Sequence, residues 1–147
     1  MYSHLLVPID GSELSLHAVE HSVGLAQKLG ARITGFVVEP MAPLPNETSG
    51  MTSYLSKTEE HRAHTEAHAR EVLAKFAAQA AAAGVPFDGR FKRTDAVDDG
   101  IVEAAKEFGC DLVVMATHGR GAFGELLFGS HAKIVISRSR LPVLVLR

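Results

Sequence analysis

The sequence predicts an α/β protein with a doubly wound, mostly parallel five-stranded sheet that carries helices on both faces. Two observations lead to this prediction. Short apolar segments alternate with helical patterns along all 147 residues, as they do in proteins built from strand–helix–strand units. Most of the strand segments are also apolar at almost every position, which is typical of parallel strands buried on both faces.

The first half of the chain contains two predicted strands and the helix between them. A strand over residues 4–9 leads through the turn sequence Asp-Gly-Ser into a helix that ends at Gly30, with apolar residues at helical spacing at Leu16, Val19, Val23 and Ala26. A second strand over residues 31–38 is rich in β-branched and aromatic residues and ends before Pro40. Residues 39–50 contain three prolines and predict a long surface loop.

The second half repeats the alternation of helix and strand. Residues 55–83 contain no glycine or proline and predict a long helix, which Gly84 and Pro86 end. An acidic turn then leads to a helix from residue 100, for which Asp98 or Asp99 is the predicted N-cap. The remaining predicted elements are strands over 87–93, 110–116 and 142–147 and a helix over 129–140.

Composition and charge limit the classes of function. With 46% hydrophobic and 22% charged residues, the chain resembles an ordinary globular protein, and we expect one domain over residues 1–147. A formal net charge of -2 gives no electrostatic reason to expect nucleic acid or an anionic membrane as a partner. The chain has no apolar stretch of membrane-spanning length and no secretory leader pattern, so we expect a cytoplasmic protein. Cys110 is interpreted as a buried thiol without a chemical role.

The glycine-rich stretch ATHGRGAFGELLFGSHA, residues 116–132, is the strongest candidate for a binding site. A helix that begins directly after such a loop presents unpaired backbone amides and the positive end of its dipole, which together favour phosphate. Gly129 lets an anion approach the backbone, and Ser130 can either cap the helix or bind a phosphate oxygen. Arg120 adds a charged donor nearby. In isolation, such glycines serve equally well as turn residues.

The loop after the first strand is the second candidate region. In doubly wound sheets a ligand binds beyond the carboxyl ends of the strands where the strand order reverses, so this loop would meet the glycine-rich loop if strands one and four are neighbours. Asp10 and Ser12 could hold the polar edge of a base, although helix capping is favoured for Ser12. The chain has neither a Walker-type GxxxxGK[ST] loop nor a GxGxxG sequence after the first strand.

Residues 4–26 and 111–147 resemble the universal stress protein family, and the resemblance spans the chain. The nucleotide-binding branch of that family has the pattern G-x2-G-x9-G-[ST] after its fourth strand. Here Ala116, Gly119, Gly129 and Ser130 occupy those positions, so all but the first position match. The resemblance implies a Rossmann-like fold that binds ATP, with Mg²⁺ or Mn²⁺ held by the phosphates, and a homodimer formed through the C-terminal strand.

The resemblance also implies roles for individual residues. It implies an adenine contact from Asp10 with Val37, ribose near Met115 and Ala116, and phosphates along Gly119, Gly129 and Ser130. The candidate set further includes Pro8, Ile9, His118, Arg120 and His131. Ala116 places a methyl group where the family has hydrogen and is expected to weaken binding. His131 could block the phosphate path or, if protonated, supply a positive charge.

We assign no catalytic residue and no metal site on protein ligands. His61, His64 and His68 recur at helical spacing among acidic residues and are interpreted as a solvated helix face, as are His17 and His21. Asp95, Asp98 and Asp99 are interpreted as turn and capping residues rather than magnesium ligands. The predicted function is therefore a stress-response module that binds ATP as a regulatory homodimer. The alternatives are a dimeric adaptor or chaperone-like stress protein that binds no nucleotide, and a slow ATPase.

Overall fold

The computed structural model describes residues 1–45, 50–117 and 130–147, and strands and helices alternate throughout these ranges. Their bounds, in chain order, are β1 (His4–Pro8), α1 (Glu13–Leu29), β2 (Arg32–Glu39), α2 (Met51–Ala82), β3 (Phe87–Arg93), α3 (Val97–Glu107), β4 (Leu112–Ala116), α4 (Ser130–Arg138) and β5 (Val143–Leu146). The predicted α/β order is confirmed.

The strands form one parallel sheet in the order β3-β2-β1-β4-β5. Strand β1 pairs with β2 from His4↔Arg32 to Pro8↔Phe36, and with β4 at Leu5↔Leu112 and Leu6↔Val113. The chain first winds outward from β1 to β3 and then returns to the other side of β1. The strand order therefore reverses between β1 and β4, where a doubly wound sheet leaves a crevice at its carboxyl edge.

The sheet separates two apolar layers, because neighbouring residues of a strand point to opposite faces. Leu5 belongs to the cluster that α1 and α2 cover, whereas Leu6 belongs to the cluster that α3 and α4 cover. Both leucines have no exposed surface. Helices thus cover both faces of the sheet, as the continuous apolar character of the strands predicted.

Two helices begin earlier than predicted. Helix α3 begins at Val97 after Ala96, which makes no side-chain capping bond, so the prediction of Asp98 or Asp99 as the N-cap is wrong. The hydroxyl of Thr94 accepts a hydrogen bond from the Ala96 amide at 3.0 Å and closes the turn one residue before the helix. Both aspartates lie in the first turn instead, where the helix dipole favours negative charge.

Helix α2 begins at Met51, after Gly50 in an extended conformation, and so includes four residues that were predicted to lie before it. Among the described residues, no helix is both long enough and apolar enough to span a membrane.

The buried face of α1 is shifted from the one that its apolar residues predicted. Leu16 is 47% exposed, while the small residues Ser15, Ala18 and Ser22 are buried against the sheet. The Ser22 hydroxyl donates to the Val19 carbonyl oxygen at 3.0 Å, so its burial leaves no unpaired donor. Small residues let the helix approach the sheet closely, and a count of large apolar residues misses such a face.

Gly35 in β2 and Gly24 in α1 give a matched test of this packing. A Cβ at Gly35 would lie 2.7 Å from Cζ of Phe87 and 2.9 Å from Cδ1 of Phe76, whereas a Cβ at Gly24 would meet nothing within 4 Å. We expect Gly35→Ala to lower the free energy of unfolding by about 1–3 kcal/mol, because two packed aromatic rings must move. We expect Gly24→Ala to raise it by up to about 1 kcal/mol through helix propensity. Urea denaturation measures both, and equal effects of the two substitutions would contradict the packing described.

Candidate ligand-binding site

A cavity of about 190 Å³ lies at the carboxyl edge of the sheet, where the loop after β1 faces the end of β4. This is the crevice that the strand reversal creates, and β1 and β4 are neighbours, as the predicted meeting of the two loops requires. Residues 118–129 of the glycine-rich loop lie outside the described residues, so the meeting itself stays a prediction. Helices α3 and α4 close the cavity with their first turns, through Val97, Ile101, His131 and Ala132.

The floor of the cavity is apolar. Phe36 and Met115 are 1% and 6% exposed, and with Ile101 they belong to the core cluster beneath α3 and α4. The polar groups lie around this floor, on Asp10, Ser12, Ser15, Thr117 and His131. An apolar floor with a few placed polar groups is the usual construction of a small-molecule site.

Hydrogen bonds hold the loop after β1 in one shape. The Ser12 amide donates to Oδ1 of Asp10 at 2.9 Å, and the Ser15 amide donates to Oγ of Ser12 at 3.2 Å, which confirms Ser12 as the N-cap of α1. The Gly11 amide donates to Oγ of Ser15 at 3.0 Å, and Gly11 has the positive φ of 84° that favours glycine. The Asp10 carboxylate is therefore oriented before any ligand arrives.

The same hydrogen bonds set the charge of Asp10. Partial burial alone would raise the pKa of this carboxyl, but the hydrogen bonds from Ser12 and Ser15 outweigh burial and hold the pKa below its usual value. Asp10 is consequently ionised at neutral pH and can only accept hydrogen bonds. It is suited to an N–H or O–H donor of a ligand.

The first turns of α3 and α4 are joined at the mouth of the cavity. His131 Nδ1 lies 2.6 Å from Asp98 Oδ1, and Asp99 pairs with Arg138 at the other end of α4. Both aspartates thus link the two helices instead of capping α3. His131 lines the cavity, so this link is also part of its wall.

The structure brings together half of the predicted site. The predicted residues that line the cavity are Pro8, Ile9, Asp10, Met115, Ala116 and His131. His118, Gly119, Arg120 and Gly129 lie outside the described residues. Ser130 is the first residue of α4.

Val37 lies elsewhere. Its side chain is 1% exposed and packs in the cluster beneath α1 and α2, on the face of the sheet away from the cavity floor. Its neighbours Phe36 and Val38 line the cavity instead, because side chains alternate along β2. The bond from the Ile9 amide to the Phe36 carbonyl oxygen, at 2.9 Å, fixes this register.

Several lining residues were not predicted from the sequence. Val97 and Ile101 lie one turn apart at the start of α3, and nothing in their pattern distinguishes a cavity wall from an ordinary core face. The only feature of the sequence that could have indicated Phe36 and Val38 as lining residues is the alternation of side chains along β2, which places both on the same face of the sheet. Asp98, as the partner of His131, could be found only from the packing of α3 against α4.

Two of the three histidines of α2, His61 and His68, contact the end of β2. His68 Nδ1 lies 2.8 Å from Oε1 of Glu39, which is 5% exposed, and His61 Nε2 lies 3.3 Å from the Pro40 carbonyl oxygen. The rings of His17 and His21 on α1 contact each other with centroids 4.2 Å apart.

No group of three or more histidine, cysteine or acidic residues in the described ranges is arranged to hold a metal ion.

Cys110 is buried beside β4, as the sequence suggested. Burial raises the pKa of its thiol to about 11. The thiol is therefore protonated at neutral pH, and a protonated thiol is a poor nucleophile.

A doubly wound parallel sheet with a part-apolar, part-polar cavity at the reversal of strand order defines a Rossmann-like α/β protein. The chain belongs to the universal stress protein family, whose profile matches residues 1–147. It is 31% identical to a universal stress protein of Methanocaldococcus jannaschii over 151 residues, covering 100% of this chain and 83% of that protein. It is also 31% identical to universal stress protein G of Shigella flexneri over 154 residues, with both chains covered completely.

Solved structures of this family share the fold. A universal stress protein from Burkholderia pseudomallei superposes with a TM-score of 0.74 at 25% identity, covering 99% of this chain and 96% of that one. A universal stress protein in complex with cAMP gives a TM-score of 0.71 at 24% identity, covering 99% and 97%. One from Archaeoglobus fulgidus in complex with dAMP gives 0.64 at 19% identity, covering 99% and 98%.

Proposed function

We propose that residues 1–147 form one regulatory domain that binds an adenine nucleotide, with ATP as the expected ligand, in the cavity between β1 and β4. The observation that carries this proposal is the position of an ionised, pre-oriented Asp10 beside an apolar floor at the strand reversal. The complexes of related proteins with cAMP and dAMP support the class of ligand.

The base occupies the apolar part of the cavity in this proposal. Phe36, Ile101 and Met115 offer a surface on which a purine can rest. The exocyclic amine of adenine is a hydrogen-bond donor, and the Asp10 carboxylate is an acceptor within the same wall. Adenine is therefore favoured over a base that presents a carbonyl oxygen to Asp10. The ribose then lies near Met115 and Ala116.

The phosphates extend toward the start of α4. A helix N-terminus presents unpaired amides and a partial positive charge, and α4 reaches the cavity with its first turn. The motif residues Gly119, Gly129 and Ser130 would contact the phosphates, and Mg²⁺ or Mn²⁺ would be held by phosphate oxygens.

Calorimetric titration with ATP and magnesium tests this proposal. We expect Gly129→Val to abolish binding, because a branched side chain would meet the phosphates, and Ala116→Gly to tighten it by removing a methyl group near the ribose. Asp10→Ala should weaken binding about tenfold, since it removes a charged hydrogen bond. Gly24→Ala on α1 is the matched control and should bind as the wild type does. Absence of heat with the wild-type protein, or unchanged affinity in both Gly129→Val and Ala116→Gly, would contradict the proposal.

We also propose that the protein is a homodimer formed through β5. The two edge strands of the sheet differ in character. Strand β3 alternates charged residues along its length, with Asp88, Arg90 and Lys92, whereas β5 is the apolar sequence Val143–Leu146 with Leu144 38% exposed. Charged edge strands resist pairing with a second chain, and apolar ones favour it. The resemblance to the family implies the same interface.

Sedimentation analysis tests the dimer. We expect Leu144→Asp to convert the dimer to a monomer, because it places a charge in the apolar contact. Leu29→Asp is the matched control, since Leu29 is 39% exposed but lies at the end of α1. A wild-type monomer, or a dimer that survives Leu144→Asp unchanged, would contradict β5 as the interface.

A further inference from the structure

The cavity wall contains very little charge. Among the described residues that line it, Asp10 and His131 alone have side chains that can be charged near neutral pH. Asp10 is negative, so His131 is the one side chain of the described wall that can become positive. It is also the residue of α4 that links this wall to α3, through Asp98.

The link to Asp98 determines which nitrogen of His131 carries a proton. An ionised carboxylate only accepts hydrogen bonds, so Nδ1, 2.6 Å from Asp98 Oδ1, must be the donor. The second nitrogen, Nε2, has no hydrogen-bond partner among the described residues. It therefore presents a lone pair when the ring is neutral and an N–H donor when the ring is protonated. The His131 side chain is 58% exposed, so a proton can reach it from solvent.

Opposing charges act on this imidazole. The Asp98 carboxylate on α3 lies beside the ring, and the ring itself belongs to the first turn of α4, at the positive end of the helix dipole. The nearby Asp99 is already neutralised by Arg138, and Asp10 acts from the far loop of the cavity. Lys133 is an exposed cation on α4. An additional negative charge placed in the cavity would favour protonation.

We propose that His131, oriented by Asp98, recognises the negative charge of the ligand by taking up a proton from solvent when a phosphorylated nucleotide binds. The inference rests on the nucleotide-binding function proposed above. It assigns His131 as a specificity residue that selects phosphorylated adenine ligands over adenosine. Because a histidine changes charge between about pH 5 and pH 8, the selection is stronger in weak acid than in weak base.

Titration with adenosine and AMP at pH 6 and pH 8 tests this inference on the purified protein. The AMP phosphate itself changes charge between these pH values. At each pH we therefore divide the affinity of the wild type by that of His131→Gln, so that the effect of ligand protonation cancels. For AMP we expect this ratio to be about ten at pH 6, because a charge-assisted hydrogen bond is lost, and below about three at pH 8. For adenosine it should stay below about two at both pH values, since no phosphate is present.

Proton uptake gives an independent readout. Repeating the AMP titration in buffers of different ionisation enthalpy measures the protons taken up per ligand. We expect wild type at pH 7 to take up more protons than His131→Gln, with Asp98→Asn between them. Asp99→Asn is the matched control, because it breaks the neighbouring link between α3 and α4 without touching His131, and it should match wild type.

Two results would overturn the assignment while leaving nucleotide binding intact. One is an equal loss of affinity for AMP and for adenosine in His131→Gln. That result would mean that His131 shapes the cavity wall but does not recognise the phosphate. The other is a wild-type to variant ratio for AMP that is the same at pH 6 and pH 8. If the wild-type protein binds neither AMP nor ATP, the proposed function itself fails and this inference fails with it.

Discussion

The pairing of β1 with β2 on one side and with β4 on the other is the constraint on which the rest of the structure depends. It places Leu5, Leu6 and Val7 in the centre of the sheet with no exposed surface. It also reverses the order in which strands are added to the sheet beside β1, so a crevice opens between β1 and β4 at the carboxyl edge. The cavity, the helix start that faces it and the position of Asp10 all follow from this arrangement.

Hydrogen bonds to side chains hold both ends of β1. At the amino edge, the Asp111 carboxylate accepts hydrogen bonds from the amides of Ser3 and His4, at 2.9 and 3.0 Å, and so ties the start of β4 to the start of β1. At the carboxyl edge, the Ser12 and Ser15 network fixes the loop that carries Asp10. A ligand that enters the cavity therefore meets a prepared acceptor and a rigid floor, which lowers the entropic cost of binding.

The sequence predicted the strands and their parallel arrangement well, because continuous apolar segments have few alternatives in a chain of this length. It predicted the ends of α1 equally well, since Ser12 and Gly30 have strong local preferences. Asp98 was misplaced because a carboxylate near a helix start is equally favourable as an N-cap and in the first turn. The packing of α3 against α4, which gives Asp98 its partner, is a property of the tertiary structure. The side chain of Val37 packs beneath α1 and α2, away from the cavity floor, because one step along a strand moves a side chain to the other face. The predicted contact of Val37 with adenine stays a prediction.

The most direct test of the central claim is to observe where AMP perturbs the backbone amide resonances of the protein. We expect the shifts to cluster at the carboxyl edge of the sheet, at the amides of Asp10, Ala116 and Ala132, which line the cavity at the strand reversal. A second cavity lies at the amino edge, beside Arg32 and Phe108, and its amides should not move. Shifts confined to that amino edge would show that the reversal between β1 and β4 does not form the ligand site and would contradict the account.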